Sequence, residues 1–164
     1  MSARRFEFAL MALVVAFDQA TKALVRAKMP LQSTLEIVPG LLNFTHIRNT
    51  GAAFGVLNAV DFPYKAALLT GMAVIALGTI GIYAASLARE QLLARVGLAL
   101  VVGGAAGNLI DRVAIGSVVD FVDVFWGEYH FWAFNIADSA ITVGVAVVIL
   151  DMMGIGGAHV SETV

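Results

Sequence analysis

LLARVGLALVVGGAAGNLIDRV, Leu92 to Val113, decides how this chain is read. It is long and apolar enough to cross a bilayer, which takes about 20 such residues. It ends in polar groups at i, i+3 and i+4, namely Asn108, Asp111 and Arg112, which share one helix face. Three more runs qualify as spans. Residues 6–25 precede it, residues 66–88 carry no charge at all, and residues 133–153 close the set. Residues 27–65 and 117–132 lie between spans.

Composition agrees. The 164 residues are 60% hydrophobic and 13% charged, with a mean hydropathy of +0.88. A soluble domain is nearer a quarter charged. The expectation is one integral membrane domain over residues 1–164, a mainly α, four-transmembrane-helix bundle. The net charge of −2 and the absence of a basic patch point away from nucleic acid. With no cysteine, thiolate metal sites and cysteine nucleophiles are excluded. His46, His130 and His159 are too scattered for a zinc set, so no metal or cofactor is expected. Arg4-Arg5 before an apolar run imitates a signal peptide. Asp18 and Lys22 interrupt that run and no small-residue cleavage site follows promptly, so an uncleaved first span is the better reading.

Four spans leave both termini on one side. The charge count across the membrane ties, with Arg4, Arg5, Arg89 and Arg95 on the terminal side and Arg26, Lys28, Arg48 and Lys65 opposite. The short loop holding Arg89 and Arg95 leans that side toward the cytoplasm. Pro39-Gly40 reads as a turn between β-capable runs at 34–38 and 41–48, and the run 117–126, SVVDFVDVFW, is β-branched and aromatic. A small sheet at the membrane surface follows, with Phe125, Trp126, Tyr129 and Trp132 at headgroup level. Gly103 and Gly107, together with Gly71, Gly78 and Gly81, read as helix-packing positions. The tail from residue 154 reads as disordered.

Charged groups in spans are costly, about 2.5–3.5 kcal/mol at mid-bilayer on insertion scales, and so suggest function. Asp18 and Lys22 stand four apart and can pair. Asn135, Asp138 and Thr142 share a face at the start of the last span. Topology carries the Asn108 group, the 117–126 run and the Asn135 group to one membrane face. Two aspartates of that run compete to face Asp138. Strand alternation points Asp120 and Asp123 oppositely. Spacing does not choose, though Asp123 shares its side with Phe121 and Phe125, which favours Asp120. Two facing carboxylates cannot both ionise comfortably, and a pair holding one proton is aspartic-protease chemistry. A small transporter would spread charges over several spans, and a non-catalytic assembly subunit leaves the Asn/Asp/Arg set unexplained.

Five stretches in order resemble the bacterial lipoprotein signal peptidases (signal peptidase II). They are Asp18-Gln-Ala-Thr-Lys22, Asn49-Thr-Gly-Ala-Ala-Phe-Gly55, Gly107-Asn-Leu-Ile-Asp-Arg112, Val118-Val-Asp-Phe-Val-Asp123 and Phe134-Asn-Ile-Ala-Asp138. The resemblance covers nearly the whole chain. It implies an aspartic endopeptidase that cuts diacylglyceryl-modified prolipoproteins just before the lipidated cysteine. It implies that Asp120 and Asp138 are the catalytic pair, surrounded by Asp18, Lys22, Asn49, Gly51, Asn108, Asp111, Arg112 and Asn135. It further implies both termini in the cytoplasm and a site near the outer leaflet of the cytoplasmic membrane. The partners expected are lipid-modified prolipoproteins and membrane lipids, with the enzyme a monomer. The NTGAAFG loop, rich in small residues, is expected to admit a peptide backbone, with Asn49 bonding to it.

Overall fold

The computed structural model describes residues 3–51, 57, 60, 62–88 and 90–155. Residues 52–55 of the NTGAAFG loop, Arg89, His159 and the tail from residue 156 fall outside that set, so the readings placed on them lie outside the described residues. The protein is a mainly helical, membrane-type protein with a small antiparallel sheet. Its elements run α1 (Ala3–Lys28), β1 (Thr34–Val38), β2 (Leu42–Asn49), α2 (Lys65–Ser86), α3 (Leu92–Ile115), β3 (Val118–Trp126), β4 (Tyr129–His130) and α4 (Ile136–Met152). By length and composition, α1, α2 and α3 are able to cross a membrane. α4 is shorter, at 17 residues.

α1 runs past the expected end of the first span. Arg26 and Lys28 sit in its last turn, where positive charge suits the helix dipole, and Pro30 stops it. α3 is the central helix and packs against α4, α1 and α2. Its glycines explain two of those contacts. A Cβ on Gly104 would run into the backbone carbonyl of Ala137 in α4, and one on Gly103 would come within 3.2 Å of Met11 backbone atoms in α1. Side-chain-free positions thus let three helices approach closely where lipid offers no hydrophobic drive.

α2 departs from expectation. A Cβ on Gly71, Gly78 or Gly81 would meet nothing within 4 Å, so these glycines do not pack. α2 touches the bundle chiefly through α3 and buries only Lys65 and Leu69. Arg95 also differs from its reading as a loop charge. It is 5% exposed and binds Glu7 through Nη2 at 2.6 Å and Nε at 2.7 Å. That pairing weakens the charge count as a guide to orientation.

The sheet has the order β1-β2-β3-β4, antiparallel throughout. Three of its strands lie where the Pro39-Gly40 turn and the β-branched run 117–126 put them. Residues 133–135, assigned from sequence to the fourth span, are not helical. Phe134 forms a bridge to Val122, and its carbonyl accepts from the consecutive N–H groups of Phe121 and Val122 at 3.0 and 2.9 Å. Two successive donors on one acceptor mark a bulge. The strict alternation that sets Asp120 opposite Asp123 does not run through it. Below the sheet, Val25, Val119 and Phe121 form the buried apolar cluster that seats β3 on α1.

Candidate active site

The first turn of α4 fixes one carboxylate. Asn135 is its N-cap, and its Oδ1 accepts from the Asp138 backbone N–H at 2.9 Å. Asp138 Oδ2 accepts in return from the Asn135 N–H at 3.1 Å. This reciprocal box satisfies two helix-end donors and sets the side-chain direction of Asp138. Its second oxygen, Oδ1, accepts from Asn108 Nδ2 at 2.8 Å.

β3 brings the other carboxylate. Asp120 is 3% exposed. Its Oδ1 accepts from Asn135 Nδ2 at 2.7 Å and its Oδ2 from Asn49 Nδ2 at 3.1 Å. Asn49 therefore holds the carboxylate, where the sequence suggested it would reach for a peptide. Its own Oδ1 accepts from the Gly51 N–H at 2.9 Å and shapes the corner that follows. Asn135 also donates to Asn108 Oδ1 at 3.2 Å, so the two asparagines join the two aspartates through one amide pair.

Beneath that pair lies a buried ionic floor. Lys22 Nζ meets Asn108 Oδ1 and Asp18 Oδ2, both at 2.9 Å, and Asp111 Oδ2 at 3.3 Å. Asp18 and Lys22 are fully buried and Asp111 is 1% exposed. Asp18 Oδ1 accepts from the Ala137 N–H at 3.0 Å and so binds the N-terminal turn of α4 to α1. Asp111 Oδ2 accepts from the Val119 N–H at 3.0 Å, one residue before Asp120. Asp111 is thus a support of the strand, although its spacing places it with Asn108. Gly107 makes room for this floor, since a Cβ there would lie 2.6 Å from Asp18 Oδ2.

Arg112 turns inward and does not run free to the surface. Nη2 donates to the Gly51 carbonyl at 3.3 Å and Nη1 to the Asn108 carbonyl at 3.5 Å. Gly51 is buried in that corner. Asp123 stands apart and accepts from Asn43 Nδ2 at 3.0 Å and pairs with His130 Nδ1 at 2.9 Å. Sequence reasoning missed Gln19, whose Nε2 donates to Asp18, the Gly107 carbonyl and Asp111. A polar residue next to Asp18 inside an apolar run was the available signal.

The electrostatics follow from burial. Desolvation, and after it the nearby Asp138 charge, push the Asp120 carboxyl up to about 7. The hydrogen bonds from Asn49 and Asn135, and the charge of Lys22, oppose the rise. The geometry thus presents two amide-oriented carboxylates, one of which readily keeps its proton near neutrality. Such a pair can activate water and polarise a carbonyl.

The chain is similar to known proteins over most of its length. Residues 10–154 match the family described as signal peptidase (SPase) II. The chain is 48% identical over 136 residues to the lipoprotein signal peptidase of Geobacter sulfurreducens, covering 83% of this chain and 84% of that one. It is 46% identical over 142 residues to the enzyme of the same name from Geobacter metallireducens, covering 87% and 86%. Among solved structures, one described as a bacterial membrane enzyme superposes with a TM-score of 0.82 at 34% identity, over 97% of this chain and 94% of the other.

Proposed function

This chain belongs to the signal peptidase II family, and from that membership we propose that it is an aspartic endopeptidase removing signal peptides from diacylglyceryl-modified prolipoproteins. Asp120 and Asp138 are the catalytic pair in this reading. The observation that carries it is the pairing of Asn135 with Asp120 and of Asn108 with Asp138, which aims two carboxylates from different elements at one place.

The pair begins with one proton. The unprotonated carboxylate takes a proton from water as the oxygen bonds to the scissile carbonyl carbon. The protonated partner donates to the carbonyl oxygen, which becomes the second hydroxyl of a tetrahedral intermediate. Collapse breaks the C–N bond, and the proton taken from water goes to the leaving amine. The second proton returns from the hydroxyl as the new carboxyl forms. Amide donors hold each carboxylate in place, so little reorganisation accompanies attack.

Placement in the bilayer belongs to the same proposal. The chain is a single membrane domain with four spans. α4 is about 26 Å long at 1.5 Å per residue, against a hydrocarbon core of about 30 Å. With both termini cytoplasmic, the sheet lies at the outer face and Asp120 at the depth where a diacylated cysteine presents its peptide bond. The enzyme acts as a monomer, in contact with membrane lipids. The test uses purified protein in detergent and a lipid-modified prolipoprotein. Asp120→Asn and Asp138→Asn each abolish release of the signal peptide while the folded yield is kept. Full activity in either variant refutes the assignment, and equal cleavage of the unlipidated precursor refutes the lipid requirement.

A further inference from the structure

We propose that Lys65 is a positioning residue for this reaction, clasping Thr50, Leu57 and Val60 so that the Asn49–Gly51 corner stays against Asp120 and Arg112. This inference rests on the protease reading of the site. α2 buries only two residues, and one is this lysine, 7% exposed. Lys65 stands at the first position of the helix, where positive charge opposes the dipole. Among the described residues no carboxylate pairs with it. Its Nζ instead gathers three neutral acceptors: the Leu57 carbonyl at 2.6 Å, the Val60 carbonyl at 2.8 Å and Thr50 Oγ1 at 3.3 Å.

Thr50 directly follows β2, whereas Leu57 and Val60 lie nearer the start of α2. Thr50 lies between Asn49, which holds Asp120, and Gly51, whose carbonyl receives Arg112. Leu57 and Tyr64 both adopt left-handed backbone, with φ of 67°, a conformation side chains disfavour. These two residues are therefore held in a conformation they do not prefer, and Lys65 is the side chain that gathers the Leu57 and Val60 carbonyls. Apart from Lys65 and Leu69, the residues of α2 are not buried, so Lys65 is the buried polar side chain by which this helix reaches the Asn49–Gly51 corner.

The test compares the wild type with Lys65→Met and Lys65→Arg, as full-length protein in detergent, on a lipid-modified prolipoprotein. Lys65→Met raises KM tenfold or more with kcat within threefold, whereas Lys65→Arg, which keeps several donors, stays within threefold of wild type in both. Amide hydrogen exchange in peptides spanning residues 57–64 quickens in Lys65→Met while exchange in α3 and α4 is unchanged. Wild-type KM and loop exchange in Lys65→Met overturn the clasp. So does a fall in kcat that leaves both KM and loop exchange at wild-type values. If Lys65→Met does not fold, Lys65→Gln replaces it, and a KM at least threefold higher supports the proposal while an unchanged KM overturns it. A wild-type protein that fails to cut the lipidated precursor refutes the protease reading instead, and the exchange comparison still decides the clasp.

Discussion

Asn135 does two things with one side chain, and substitution should separate them. Its oxygen caps α4 and its amide nitrogen orients Asp120. Loss of an N-cap costs about 0.5–2 kcal/mol. Asn135→Ala should therefore lower stability by about that much, read as a drop in melting temperature in detergent. Its activity should fall by roughly a hundredfold or more, the scale of losing an oriented charge-stabilising donor. Asn135→Ser keeps the cap and loses the amide, so it should recover the stability and not the activity. The raised Asp120 carboxyl makes a second prediction. Its folded value is about 7, against about 3.9 in an unfolded chain. The folded state holds the proton more tightly, so this group's contribution is fully present below about pH 4 and is lost as pH rises through 7. Asp120→Asn cannot titrate. Its melting temperature relative to wild type should thus become more favourable between pH 5.5 and 8.5. Activity of the wild type should fall along an alkaline limb near pH 7, as the shared proton leaves. At this scale the sequence was readable where motif and spacing coincided. Asn108, Asp138 and Lys22 fall into the cluster that their faces suggested. Asp111 shares the Asn108 face but serves the β3 backbone, and only the fold reveals which atom a carboxylate finds.

The helices divide their glycines into two kinds, and the division is measurable. Gly104→Ala would push a methyl group into the Ala137 carbonyl. Overpacking of this sort costs about 1–3 kcal/mol, so the variant should melt several degrees lower. Gly78→Ala faces open space on α2 and should melt at or slightly above the wild-type temperature. Nothing in the sequence separates these glycines, because a small residue in an apolar run packs only if a partner arrives. The sheet was easier to read. Pro39-Gly40 supplies its own turn chemistry, and Leu42 to Thr45 alternate. The start of α4 was harder, since Ala133 and Phe134 suit a span and a strand equally. What decides is Phe134 pairing with Val122, a contact across the chain that local preference does not contain.

Across the whole molecule, the buried floor of Asp18, Lys22 and Asp111 joins α1, α3, β3 and α4. Removing its single fully buried cation should be severe. Lys22→Met leaves two carboxylates with little compensation, and breaking a buried ion pair on one side costs about 3–5 kcal/mol. The expected result is a large loss of folded protein in detergent. The double variant Lys22→Met/Asp18→Asn should recover part of it, and a double variant no better than the single one would count against the ionic account. The order in which these groups are made has a further consequence for biosynthesis. Asp18 and Lys22 lie one turn apart and can neutralise each other as soon as α1 leaves the ribosome. Asp18 still waits for the Ala137 N–H, which is translated more than a hundred residues later. Until then the nascent chain carries a prepaired ionic couple with one oxygen uncommitted, and arrival of the last helix closes it. A ribosome stalled before residue 135 would leave that oxygen without its partner, and the chain without either the second aspartate or the asparagine that aims the first.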